Sequence, residues 1–117
     1  MRDLKIYFHD ILDSINLIEK YISGKKEQDF IDDIQLQDSV IRRLEIIGEA
    51  VKHIPESIRN QNLSIPWRQI AGLRDMLIHE YFGIKMSRVW KILIENLSEL
   101  KNTIICLIVE KNDEDRY

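Results

Sequence analysis

The chain has 117 residues, of which 44% are hydrophobic and 32% charged, and its 17 Lys+Arg against 20 Asp+Glu give a net charge of −3. That balance fits one compact domain and excludes wholesale disorder and any fibrous or repeat composition. It also excludes the broad basic coat through which proteins hold nucleic acid by bulk charge. The first element is a helix: Leu4, Phe8, Ile11, Ile15, Ile18 and Ile22 recur at alternating spacings of four and three, and Ser23-Gly24 offers a C-terminal stop. Residues 25–33 are polar with Phe30 and Ile31 embedded, which suggests a loop or a single helical turn. A second stripe, Val40, Leu44, Ile47, Val51 and Ile54, predicts a helix over 34–53 that stops at Pro55. A polar connector follows, with room for one turn at Pro55-Glu56-Ser57-Ile58. Ser64-Ile65-Pro66-Trp67 reads as the start of a third helix, which runs to Tyr81 or Phe82 and ends at Gly83. Ser87 is placed to cap a last long helix carrying Val89, Leu93, Leu97, Leu100, Ile104 and Leu107, and residues 111–117 form a charged tail.

Four main helices with short connectors predict an all-α, antiparallel bundle of four to five helices. Residues 1–110 form the domain and 111–117 the tail. Such a bundle buries a modest core, and Tyr7, Ile41, Ile46, Trp90 and Ile94 lie off the main stripes, so a homodimer is expected to cover them. The single cysteine, Cys106, allows no intrachain disulfide and reads as a small buried hydrophobe in an apolar helix. The start Met1-Arg2-Asp3-Leu4-Lys5, followed by Asp10 and Asp13, does not resemble a signal peptide, and the apolar run 104–109 is too short for a bilayer. A cytoplasmic protein with no membrane partner is expected.

The chemistry concentrates in the third helix. Its stripe of Trp67, Ile70, Leu77 and Ile78 has Arg74 inside it, and Tyr81 lies seven residues on, on a similar face. An arginine on an inward face must pair or line a pocket. Asp75 and His79 are four apart, a spacing at which a carboxylate can orient an imidazole for proton transfer. Two uses stay open on spacing alone: Arg74 could pair with Glu45 or Glu49 of the second helix, and His79 could be a histidine favoured by the helix dipole. Glu45 and Glu49 share a face; they could line a cleft or bridge to Arg42, Arg43 or Arg74. Gly48 between them would allow close helix approach. His9 with Asp13, and His53 alone, form no recognised metal set, no Gly-rich phosphate loop is present, and no cofactor or metal is expected. Trp67 and Trp90 read as core or dimer anchors.

The run Arg74-x-x-x-x-His79-x-Tyr81 resembles the signature of HepT-like proteins, a branch of the HEPN superfamily. Three further blocks resemble the same family: Arg43 to Lys52 (RLEIIGEAVK), Pro66-Trp67-x-x-Ile70-Ala71-Gly72-Leu73-Arg74, and Val89-Trp90. Asp75 stands where many relatives carry asparagine, a polar exchange. The resemblance implies an all-α homodimer, the toxin of a type VII toxin–antitoxin pair, acting as a metal-independent RNA endonuclease. It further implies that Arg74 and His79 are catalytic, with Asp75, Glu45 and Glu49 in support. A minimal nucleotidyltransferase antitoxin (MntA) would inactivate the protein by attaching AMP to Tyr81. The alternative is a non-catalytic helical dimer that binds such a transferase and is modified by it. The charge is uneven in a way that suits an RNA site: residues 42–91 carry nine basic and five acidic groups, whereas 1–41 carry five and nine.

Overall fold

The computed structural model describes residues 3–79 and 85–114, and those residues form helices joined by turns, with no strand among them. The helices are α1 (Leu4–Ile22), α2 (Glu27–Asp32), α3 (Ile34–Val51), α4 (Glu56–Asn60), α5 (Trp67–Ala71), α6 (Leu73–His79), α7 (Met86–Glu95) and α8 (Leu97–Glu114). The chain is all-α, as its periodicity requires.

α1 is the central staple. Its stripe residues Phe8, Ile11, Ile15 and Ile18 are buried to 1% exposure or less. They pack against α3 on one side and α8 on the other. Asp3 caps the helix by accepting from the Lys5 amide at 3.0 Å, and Gly24 takes the left-handed turn after it (φ +72°). Both neighbours run antiparallel to α1. Tyr7, near its start, stacks on His53, just past the end of α3 (centroids 4.2 Å, planes 6° apart), and Glu19, near its end, accepts from Lys101 early in α8 at 2.6 Å. On α3 the stripe Val40, Leu44, Ile47 and Val51 is fully buried.

The segment 25–33 holds more structure than its polarity suggested. Six residues form α2, whose Phe30 is fully buried and meets the Trp90 ring of α7 at 5.6 Å. Gln37 Nε2 donates to the carbonyls of Phe30 and Ile31, both at 2.9 Å, which ties α2 to the first turn of α3. The connector after Pro55 holds α4. There Arg59 donates through Nε to Ile54 O (3.0 Å) and through Nη2 to Val51 O (2.7 Å), which ties α4 to the turn that follows α3.

Two helices expected as continuous are each divided. The third is interrupted at Gly72, where ψ relaxes to −9°. The hydrogen-bond ladder still crosses the break, with Gly72 N to Arg68 O at 3.0 Å and Met76 N to Gly72 O at 2.9 Å. A side chain here would bring its Cβ to 3.3 Å from Arg68 O, a tight approach that glycine avoids. The last helix is interrupted at Asn96 (φ −112°, ψ −29°), so that α7 can leave α8 and lie against α2. α7 begins at Met86 after an extended Lys85, two residues earlier than a Ser87 cap would place it, and Ser87 sits inside the helix. α8 runs through Lys111 to Glu114, past the expected boundary at 110.

Two burial expectations are corrected. Cys106 is exposed, because it follows Ile105 on the outer face of α8 while Ile104, Leu107 and Ile108 take the inner one. Ile41 is buried within the single chain at 5% exposure, so it needs no second copy. Ile94, by contrast, is 57% exposed. No helix among the described residues is long and apolar enough to cross a membrane.

Candidate functional site on helix α6

The candidate site is built on α6, a seven-residue helix anchored by its apolar residues. Leu73 and Leu77, four apart, are buried at 5% and 2% exposure, and they seat the helix against α3. α5 prepares this seat: Trp67 and Ile70 are buried, and Trp67 Nε1 donates to Asn62 O at 2.9 Å. Pro66 precedes the helix as its N-terminal flanking residue, one position earlier than the sequence suggested.

Arg74 and His79 both belong to α6. Five residues of helix separate their backbones by about 7.5 Å along the axis. Tyr81 lies outside the described residues. Asp75, on the same helix, is exposed, and its Oδ2 lies 3.5 Å from Lys52 Nζ on α3. Lys52 Nζ also lies 3.9 Å from Glu49 Oε2, and Glu49 Oε1 lies 3.9 Å from His53 Nε2. Lys52 therefore joins two residues singled out from the sequence, Asp75 and Glu49, and links the site helix to α3. Glu45, one turn earlier, pairs with Arg42 at 3.5 Å, one of the partners its spacing allowed. The contact between Asp75 and Lys52 spans 23 positions of sequence, so periodicity gives no signal for it.

Glu45 and Glu49 line one groove of about 460 Å³ between α1 and α3, together with Tyr7, Asp10, Arg42 and His53. His53 is accounted for structurally by its stack on Tyr7, and His9 is exposed. Gly48 is buried on the inner face of α3, between the two glutamates in sequence. Trp67 is a core residue, and Trp90 is half-buried against Phe30. Among the described residues no group of three or more His, Cys, Asp or Glu side chains is arranged to hold a metal ion.

Comparison with known proteins places the chain in a family. Residues 11–107 match the family described as "Ribonuclease HepT-like". The chain is 44% identical over 100 residues to the "Probable ribonuclease HepT" of Thermococcus cleftensis, covering 86% of this chain and 91% of that protein. It is 36% identical over 104 residues to a "Putative RNase" of Caldanaerobacter subterraneus subsp. tengcongensis, covering 89% and 93%. A third relative is the "Gamma-glutamylcyclotransferase and putative RNase" of Methanocaldococcus jannaschii, 43% identical over 118 residues. That match covers 99% of this chain but 53% of the relative, so the chain spans about half the length of that protein. No solved structure gives a significant match. The matched span holds α3, α5 and α6 complete, with the Arg74 and His79 positions and the glutamates of α3, and the chain belongs to the HepT-like ribonuclease family of the HEPN superfamily.

Proposed function

We propose that the chain is a metal-independent RNA endonuclease, the toxin of a type VII toxin–antitoxin pair, working as a homodimer in which Arg74 and His79 of each protomer face one shared cleft. The observation that carries this reading is the run Arg74-x-x-x-x-His79-x-Tyr81 in a chain that matches a ribonuclease family over residues 11–107. The chemistry needs two groups of the kinds present. A neutral imidazole takes the proton of the ribose 2′-hydroxyl, and the 2′-oxygen attacks phosphorus. The bond to the 5′-oxygen breaks, and that oxygen leaves with a proton from a second imidazole. An arginine neutralises the charge that grows on the phosphoryl oxygens through paired N–H donors. One protomer offers one His79, whereas a two-fold dimer offers a base and an acid across one substrate.

Silencing follows from the same electrostatics. A nucleotidyltransferase antitoxin that transfers AMP from ATP to the Tyr81 hydroxyl, releasing pyrophosphate, would add a phosphodiester anion seven residues from Arg74 in sequence, a charge that would compete with RNA for the arginine. The direct test is cleavage of total cellular RNA by purified wild type, Arg74→Ala and His79→Ala. Each variant is expected to lose about 100- to 10,000-fold in rate. Undiminished cleavage by either one, in a folded protein, removes that residue from the mechanism.

A further inference from the structure

Two grooves lie near the C-terminal end of α3, one beside it and one beyond it, and their charges are opposite. The groove between α1 and α3 holds Asp10, Glu45 and Glu49 against Arg42 and His53. The other, of about 620 Å³, opens where the end of α3 meets α4 and the start of α5, and its charged lining is Lys52, Arg59 and Arg68 against Glu56 alone. A cationic groove on a chain of net charge −3 is a local feature and not a consequence of composition. It also lies next to the site: Lys52, at its edge, contacts Asp75, the residue that follows Arg74.

The cations are held in different ways. Arg59 is fixed by its two bonds to the carbonyls of Ile54 and Val51, which leaves the rest of its five N–H donors for a ligand. Arg68 is exposed on α5 and forms no ion pair among the described residues. Asn60 and Gln69, also exposed, add amide donors and acceptors to the lining. Cations and amides suit a phosphodiester backbone, and the apolar part of the lining, where Leu63 is 78% exposed, offers a surface for sugars and bases.

We propose that this groove is the track for the single-stranded RNA flanking the cleaved bond, with Arg68 meeting its phosphates and Arg59 forming a fixed positive floor. The proposal rests on the ribonuclease reading and adds to it the path of the substrate. Contacts of this kind position a strand without reading its sequence. They carry a salt signature, because each phosphate neutralised on a single strand contributes about 0.7 to the slope of log affinity against log salt.

The test uses the full chain and a fluorescein-labelled 2′-O-methyl RNA 12-mer, which lacks the hydroxyl needed for attack, with binding read by anisotropy across a salt series. Arg68→Ala is expected to weaken binding about 3- to 10-fold and to flatten the salt slope by about 0.7. Arg68→Lys, which keeps the charge, retains the slope, and Lys20→Ala, an exposed cation on α1 away from the groove, changes neither quantity. If wild type cleaves RNA but Arg68→Ala binds the 12-mer with wild-type affinity and slope, the groove is not the RNA track. That result would turn the groove over to an acidic protein partner while leaving the ribonuclease reading intact. If wild type neither cleaves RNA nor binds the 12-mer, both readings fall together.

Discussion

Lys52 shows how a single residue acquires meaning from its surroundings. In the sequence it is one cation at the end of an amphipathic stripe. In the structure its ammonium lies 3.5 Å from Asp75 and 3.9 Å from Glu49, bridging the helix that carries the motif to the helix that carries the glutamates. The side chains of Lys52 and Asp75 are 35% and 57% exposed, so water screens the pair. Lys52→Met is accordingly expected to lower stability by less than about 1 kcal/mol in urea unfolding. A larger loss would show that the bridge holds α6 in place by itself. Tyr81 belongs to the same scale. Incubated with the transferase partner and ATP, wild type is expected to gain AMP-sized mass increments that Tyr81→Phe does not. Increments that persist in the variant would place the modification elsewhere.

Among the elements, α6 is the informative one. Seven residues make too short a helix to hold together alone in water, so its geometry is set by what it packs on. Leu73 and Leu77 provide that packing. Leu77→Ala is expected to cost about 2–5 kcal/mol, read from the shift of the denaturant midpoint, because it opens a cavity under the helix. Cleavage should fall with it even under conditions where the chain stays folded, since the positions of Arg74 and His79 depend on that seat. A loss below about 1 kcal/mol would mean that α6 is held chiefly by polar contacts. The break at Gly72 explains why one predicted helix became two. Spacing reports which residues face inward, and it continues across an interruption that costs no hydrogen bond.

For the whole molecule the decisive question is the second copy. Ile94 at 57%, Val109 at 54% and Ile105 at 39% exposure are large apolar groups that the single chain leaves in water. Light scattering at micromolar concentration is expected to give twice the 14.0 kDa chain mass, and a strict monomer would rule out a cleft shared between protomers. Much of the fold was legible beforehand. Helical class, the buried stripes of α1 and α3 and the turn at Gly24 all follow from a period near 3.6 and from the backbone freedom of glycine, which are local properties. Burial at the margins was not legible. Ile41 is covered within the single chain and Cys106 lies on the outer face of α8, and α7 lies on α2 through Phe30 and Trp90, a contact across 60 positions of sequence. The candidate catalytic positions were legible only through the resemblance of an eight-residue run to a family signature, because spacing alone leaves Arg74 and His79 open to structural uses. Their setting was not. The Lys52 bridge and the opposed charges of the two grooves near the end of α3 arise from contacts between residues far apart in the chain. Periodicity orders residues along one helix, and only packing decides which helices, and therefore which charges, come to lie side by side.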